Sequence, residues 1–139
     1  MPPTTRRGAR IAHIGIAVRA IDEVLPFYRD LLGLDEHPLD DSDGARIAGL
    51  SAGGQLIELL EPHSSDSPDS PISKFLERRG PGIHHICFAV QNLDDTLARC
   101  REKGVRLIDD TPRMGAEGKR IAFLHPASTG GVLIELTED

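Results

Sequence analysis

The sequence predicts an α+β domain built of two βαβββ modules around a shared cleft. Three observations carry that prediction. The segment Ala12-His-Ile-Gly-Ile-Ala-Val18 returns 72 residues later as His84-His-Ile-Cys-Phe-Ala-Val90, which aligns His13 with His85. The segment Leu56-Ile-Glu-Leu-Leu-Glu61 returns 77 residues later as Leu133-Ile-Glu-Leu-Thr-Glu138, which aligns Glu58 with Glu135. Each copy also runs from a short apolar strand into a helical pattern and then into further short strands. Self-similarity of this kind marks one structural unit used twice. The modules fall at 11–61 and 83–137 of a single domain spanning 1–139.

The elements follow in order. In 13–18, Ile14, Ile16 and Val18 share one strand face, and His13, Gly15 and Ala17 share the other, because strand side chains alternate. Asp22 is the expected N-cap of the first helix, with Glu23 complementing its dipole. Val24, Phe27, Tyr28 and Leu31 form the expected core stripe. Pro26 is tolerated in the first turn, and Gly33 supplies the stop. Strands are expected at 34–39 and 44–51, then the closing strand that carries Glu58. Pro62–Ser73, rich in Ser, Pro and Asp, reads as a loop. Ser70-Pro71 reads as N-cap and first residue of a short helix ending at Gly80. In the second copy Ile86, Phe88 and Val90 form the apolar face, opposite His85, Cys87 and Ala89. A helix from Asp94 to Gly104 turns Leu97 and Cys100 inward. Strands at 106–109 and 120–125 precede the strand that carries Glu135.

Composition narrows the function. The chain has 139 residues, 39% hydrophobic and 27% charged, with 16 Lys+Arg against 22 Asp+Glu and a formal net charge of −6. That is the make-up of a globular domain, not a disordered chain. A nucleic-acid partner is disfavoured by the acidic balance and by 4% aromatic residues. No apolar run approaches the roughly 18 to 20 residues of a membrane span. Met1 to Arg10 is polar and basic without the apolar core of a secretory signal. Two cysteines are too few for a disulfide framework, so a cytoplasmic location is the expectation.

The repeat also places His13, Glu58, His85 and Glu135 at matching positions, each on the less greasy strand face. A pseudo-twofold relation between the modules would bring all four into one cleft. Two imidazoles and two carboxylates suit a divalent transition metal, and an octahedral ion would keep two positions open. His37 and His63 sit in turn-like surroundings and are expected in solvent. His84 faces away from His85 in a regular strand, so it is left outside the site. His125, before Pro126, either ends a strand or lines the cleft. Cys87 reads as a small packing residue on the cleft face and Cys100 as helix core. Arg113, Lys119 and Arg120 form a local basic cluster, either a solvated loop or a contact for the phosphates of an anionic substrate. Gly130-Gly131 reads as a turn, with no phosphate-cradle context around it.

These segments resemble the vicinal-oxygen-chelate superfamily of glyoxalase I, extradiol dioxygenases and bleomycin-resistance proteins. The likeness is greatest to its methylmalonyl-CoA epimerase branch. It is carried by His13-Ile-Gly-Ile-Ala-Val18, Glu58-Leu-Leu-Glu-Pro62, Gly82-Ile-His-His-Ile-Cys-Phe88, Ile121-Ala-Phe-Leu-His-Pro126 and Gly130-Gly-Val-Leu-Ile-Glu-Leu136. Together with shorter matches these cover nearly all of Ile11 to Thr137. The resemblance implies an isomerase that interconverts (2R)- and (2S)-methylmalonyl-CoA. It implies His13, Glu58, His85 and Glu135 as ligands of cobalt(II), with Mn2+, Ni2+ or Zn2+ as alternatives, and a homodimer. Glu135 doubles as the expected base. Some bacterial members carry a second acid where this chain has Ile47, which leaves the second acid/base group open. A glyoxalase I-like lyase and a ligand-sequestering protein of the resistance type are the alternative readings.

Overall fold

The computed structural model describes residues 8–41, 44–63 and 70–139. The first seven residues and the middle of the Pro62–Ser73 loop lie outside the described residues. The elements are β1 (Arg10–Ala17), α1 (Ile21–Leu25), β2 (Asp35–Pro38), β3 (Ala45–Ala52), β4 (Gln55–Pro62), α2 (Pro71–Arg79), β5 (Gly82–Val90), α3 (Leu93–Glu102), β6 (Arg113–Met114), β7 (Arg120–Leu124) and β8 (Ile134–Glu138). All eight strands form one mixed sheet in the order β2-β3-β4-β1-β5-β8-β7-β6. That order is a palindrome of the repeat: exchanging β1 with β5, β4 with β8, β3 with β7 and β2 with β6 leaves it unchanged. β1 and β5 pair antiparallel at the centre. β4 lies parallel to β1, and β8 lies parallel to β5.

Helices cover both faces. α1 packs on Val18, Ala48, Leu50 and Leu59, and α3 packs on Ala122, Leu124 and Leu136. α2 sets Ile72 and Leu76 on Ala17, Ala45 and Leu60. Ala17 and Leu60 alternate with Val18 and Leu59, so α2 lies on the face opposite α1. Ser70 caps α2 by accepting the Ser73 N–H at 3.2 Å, and Gly80 closes it at φ +75°.

Local expectations are corrected in α1, in α3 and at 106–109. α1 starts at Ile21 rather than after an Asp22 cap, because Glu61 reaches from β4 and accepts the Ile21 N–H at 2.7 Å. Its inward stripe is therefore Ile21, Val24, Leu25 and Tyr28, while Phe27 and Leu31 are 51% and 79% exposed. Pro26 has no N–H for the ladder, and the helix widens there into π turns over Pro26–Leu31. α3 is capped by Asn92, whose side chain accepts the Asp95 N–H at 3.0 Å, so it begins ahead of Asp94. The segment 106–109 is not a strand. It makes a single bridge, Leu107 to Leu124, because the Asp109 carboxylate takes the Phe123 N–H at 2.9 Å. A two-residue β6 is the edge strand instead.

Two irregularities interrupt the β1–β5 ladder. Ile11 pairs with Phe88 and His13 with Cys87, which passes over Ala12. Gly15 pairs with His85 and Ile16 with Ile83, which passes over His84. Ala12 and His84 are repeat-equivalent, so both copies bulge at the same position. Leu59 lies in the α1 core with 0% exposure. Leu59→Ala should cost about 3 kcal/mol in urea unfolding, the usual range for a buried leucine whose site cannot fully collapse.

Candidate metal and substrate site

The central ladder assembles the site. Gly15 on β1 is paired with Glu58 on β4 and with His85 on β5. Cys87 on β5 is paired with His13 on β1 and with Glu135 on β8. Gly15 and Cys87 are repeat-equivalent, so each small residue lies between one histidine and one glutamate. The size limit is strict at Gly15, where a β-carbon would run into the His85 ring. All four polar residues are brought together, and each is at most 5% exposed.

Their donor atoms converge. Nε2 of His13 lies 3.0 Å from Nε2 of His85, and both lie 3.0 to 3.1 Å from Oε1 of Glu135. Nδ1 of His13 is 3.1 Å from Oε2 of Glu58. Those two atoms are buried without a well-formed hydrogen bond. The donor set of His13, Glu58 and His85 lies within 4.8 Å of one another, a spacing that one ion can span.

A fifth polar group joins them. Glu117, on the turn between β6 and β7, puts Oε2 2.7 Å from Nδ1 of His13. The sequence reading missed it, because it has no partner in the repeat and sits in an ordinary Gly-Ala-Glu-Gly turn. The electrostatics reflect the crowding of acids. Burial opposes a charged His13, but its close contacts with Cys87, Glu117 and Glu135 and the charge of Glu58 outweigh it and push the imidazole up to about 12. Burial pushes the Glu58 carboxyl up to about 8, with His13 working against it. Burial works against a charged Glu135 too, yet hydrogen bonds from His13 and His85 hold it down at about 2. Three carboxylates around one imidazole make a pocket that favours a cation, and the residues fit a divalent metal.

Around this floor lies a cavity of about 260 Å³. Ala45, Ile47, Leu60 and Ile72 form an apolar wall, and Ile108 and Phe123 add to the apolar lining. His84 corrects the expectation from strand alternation. The bulge turns it into the cavity, with Nδ1 2.9 Å from Nδ1 of His85. Burial, then the charge of His85, lowers its pKa to about 4.

The basic cluster is split. Arg113 and Lys119 line the cavity. Arg113 also bonds Asp109 at 3.1 Å and lies over the Phe123 ring. Arg120 does not line it. Its neighbour Ile121 does, so strand alternation turns Arg120 to the α3 side, where it binds Asp94 and Glu138. His125 resolves as a structural residue: its Nδ1 accepts the Ala127 N–H at 3.0 Å. His37 and His63 are exposed, against Ser51 and Asp41. Cys87 is buried, and burial pushes its thiol up to about 11. Cys100 packs partly into the α3 core.

Fold and site together define a member of the glyoxalase/bleomycin resistance protein/dioxygenase superfamily, whose family model matches residues 12–123. The mouse mitochondrial methylmalonyl-CoA epimerase is 36% identical over 133 residues, 93% of this chain and 72% of that one. The Mycobacterium tuberculosis methylmalonyl-CoA epimerase superposes with a TM-score of 0.87 at 38% identity, covering 99% of this chain and 92% of that one. A Streptomyces coelicolor methylmalonyl-CoA epimerase, solved with 2-nitronate-propionyl-CoA, gives 0.84 at 39% identity, with 94% of both chains covered. The chain belongs to the methylmalonyl-CoA epimerase family. Among the described residues no helix is long and apolar enough to cross a membrane.

Two measurements probe this floor. Gly15→Ala should displace the His85 ring and weaken binding of added cobalt(II) by about tenfold or more, with an unchanged circular dichroism spectrum. The second concerns pH. The folded state holds the Glu58 proton up to about 8, while the unfolded chain releases it near 4.5. The folded state therefore binds more protons across that window, and stability falls as pH rises through it. Melting temperature of the metal-free protein should decline from pH 4.5 to 8, and the decline should be shallower in Glu58→Gln.

Proposed function

We propose that the protein interconverts (2R)- and (2S)-methylmalonyl-CoA, using one divalent metal ion held by His13, Glu58, His85 and Glu135. The observation that carries this reading is the convergence of those four side chains at the floor of a cavity with an apolar wall. The names of the relatives support the substrate class, and the acyl-CoA analogue in the Streptomyces structure supports a coenzyme A thioester. Cobalt(II) is the ion proposed first, with Mn2+, Ni2+ and Zn2+ compatible with the same donors.

C2 of the substrate lies between a thioester and a carboxylate, so its proton is acidic once the enolate is stabilised. The metal, when bound, supplies that stabilisation as a Lewis acid. The protein supplies the rest. Glu135 holds its carboxylate ionised and takes the C2 proton. Ala45, Ile47, Leu60 and Ile72 keep water away from the reacting carbon and strengthen the local field. Lys119 and Arg113 offer positive charge to the anionic parts of the substrate.

Elemental analysis should find one divalent ion per chain, and the protein should exchange the C2 proton of methylmalonyl-CoA with solvent deuterium. Glu135→Gln keeps the size and an oxygen but cannot accept the proton. It should lose at least about a hundredfold in exchange rate, in the range of general-base catalysis. Exchange near the parent rate with metal retained would remove Glu135 as the base. Isomerisation of the methylglyoxal–glutathione adduct, with no action on methylmalonyl-CoA, would put a glyoxalase activity in place of the epimerase.

A further inference from the structure

We propose that His84 is a positioning residue for His85: it holds the Nδ1 edge of that ring and so aims Nε2 at the metal. The proposal rests on the metal set given above. It adds a residue that acts on the ion through His85 alone.

The backbone is built for this contact. In a regular strand two successive side chains point to opposite faces. The β1–β5 ladder instead passes over His84, between the Gly15–His85 and Ile16–Ile83 pairs. A bulge re-aims a side chain. Here it brings Nδ1 of His84 to 2.9 Å from Nδ1 of His85. The two rings meet edge to face, with centres 5.2 Å apart and planes at 88°. Phe75 of α2 meets the His84 ring in turn, at 5.1 Å and 80°. α2 therefore backs His84, and His84 backs His85.

The chemistry selects the direction of the bond. A neutral imidazole has one ring nitrogen that donates and one that accepts. Nε2 of His85 faces Nε2 of His13 and Oε1 of Glu135, and a ligand nitrogen there must present its lone pair. The ring hydrogen of His85 then sits on Nδ1 and is donated to Nδ1 of His84. Metal-bound imidazoles are commonly held in this way, through the nitrogen that the metal leaves free. Neither ring changes its charge in this arrangement.

The first copy meets the same need differently. Ala12 stands where the second copy has His84, so the residue before His13 gives its ring no such support. Nδ1 of His13 faces carboxylate oxygens instead, of Glu117 at 2.7 Å and of Glu58 at 3.1 Å. Both rings thus have Nε2 at the centre and Nδ1 held from outside. Without His84, the His85 ring would keep its edge contacts with His13 and Phe123, at 5.1 and 5.6 Å between centres. Those contacts pack the ring but do not tell its nitrogen edge from its carbon edge. Turning the ring over would put a carbon where Nε2 stands, and the bond at Nδ1 opposes that turn.

The test compares three variants in binding of cobalt(II) to chelator-treated protein, measured by calorimetry and by the cobalt absorption spectrum. Asparagine keeps an acceptor oxygen near the position of Nδ1, whereas phenylalanine and leucine keep bulk without an acceptor. Binding should weaken at least about tenfold in His84→Phe and in His84→Leu, and stay within about threefold of the parent in His84→Asn. Circular dichroism identifies the folded variants, and either apolar variant that folds serves for the comparison. Binding near the parent value in a folded apolar variant would overturn the proposal. So would equal weakening in His84→Asn and the apolar variants, which would make His84 a packing residue. A parent protein that binds no divalent ion would overturn the metal set itself, and this proposal with it.

Discussion

The antiparallel pairing of β1 with β5 is the constraint on which the rest depends. It sets His13 opposite Cys87 and Gly15 opposite His85. The parallel neighbours β4 and β8 then bring Glu58 beside Gly15 and Glu135 beside Cys87. A slip of one residue in that pairing would turn His13 or His85 to the other face of the sheet and part it from its partner. The helices hold the register indirectly. α1 and α3 bury the face that carries Val18, Leu59 and Leu136, which leaves the histidine and glutamate face for the cleft.

Much of this was legible in the sequence, because a repeat reports geometry. Matching positions in two copies of one unit meet at the axis between them, so the four polar residues could be named without coordinates. Ser70 and Gly80 were legible for a local reason, since capping depends on neighbouring residues. What was not legible depended on distant ones. The start of α1 is set by Glu61, forty residues away. The segment 106–109 departs from strand geometry because Asp109 captures the Phe123 N–H. His84 was placed on the wrong side because alternation assumes a regular strand, and the ladder bulges there. Glu117 lies outside the repeat, so symmetry did not point to it. Arg120 was grouped with Arg113 and Lys119 by closeness in sequence, but β7 sends adjacent residues to opposite faces.

The cost of assembling the floor explains its composition. Burying ionisable groups is unfavourable unless they are paired, coordinated or neutralised. Without a metal, His13 carries the balancing charge among Glu58, Glu117 and Glu135. A divalent ion would take over that balance and displace the His13 proton, so occupancy and protonation are linked. Glycine at the β1 pivot keeps the backbone close beneath the His85 ring.

The paired bulges have one more consequence. At Ala12 and His84 the two copies share a backbone irregularity but differ in what they place on it. The floor is thus close to twofold, while the wall above it is handed, because His84 lines the cavity and Ala12 does not. α2 adds to the imbalance by covering only the side of Ala17 and Leu60. A molecule with two dissimilar ends would find equivalent seats on a symmetric floor and could bind in either of two directions. His84, with only an alanine at its repeat partner, makes those two directions unequal.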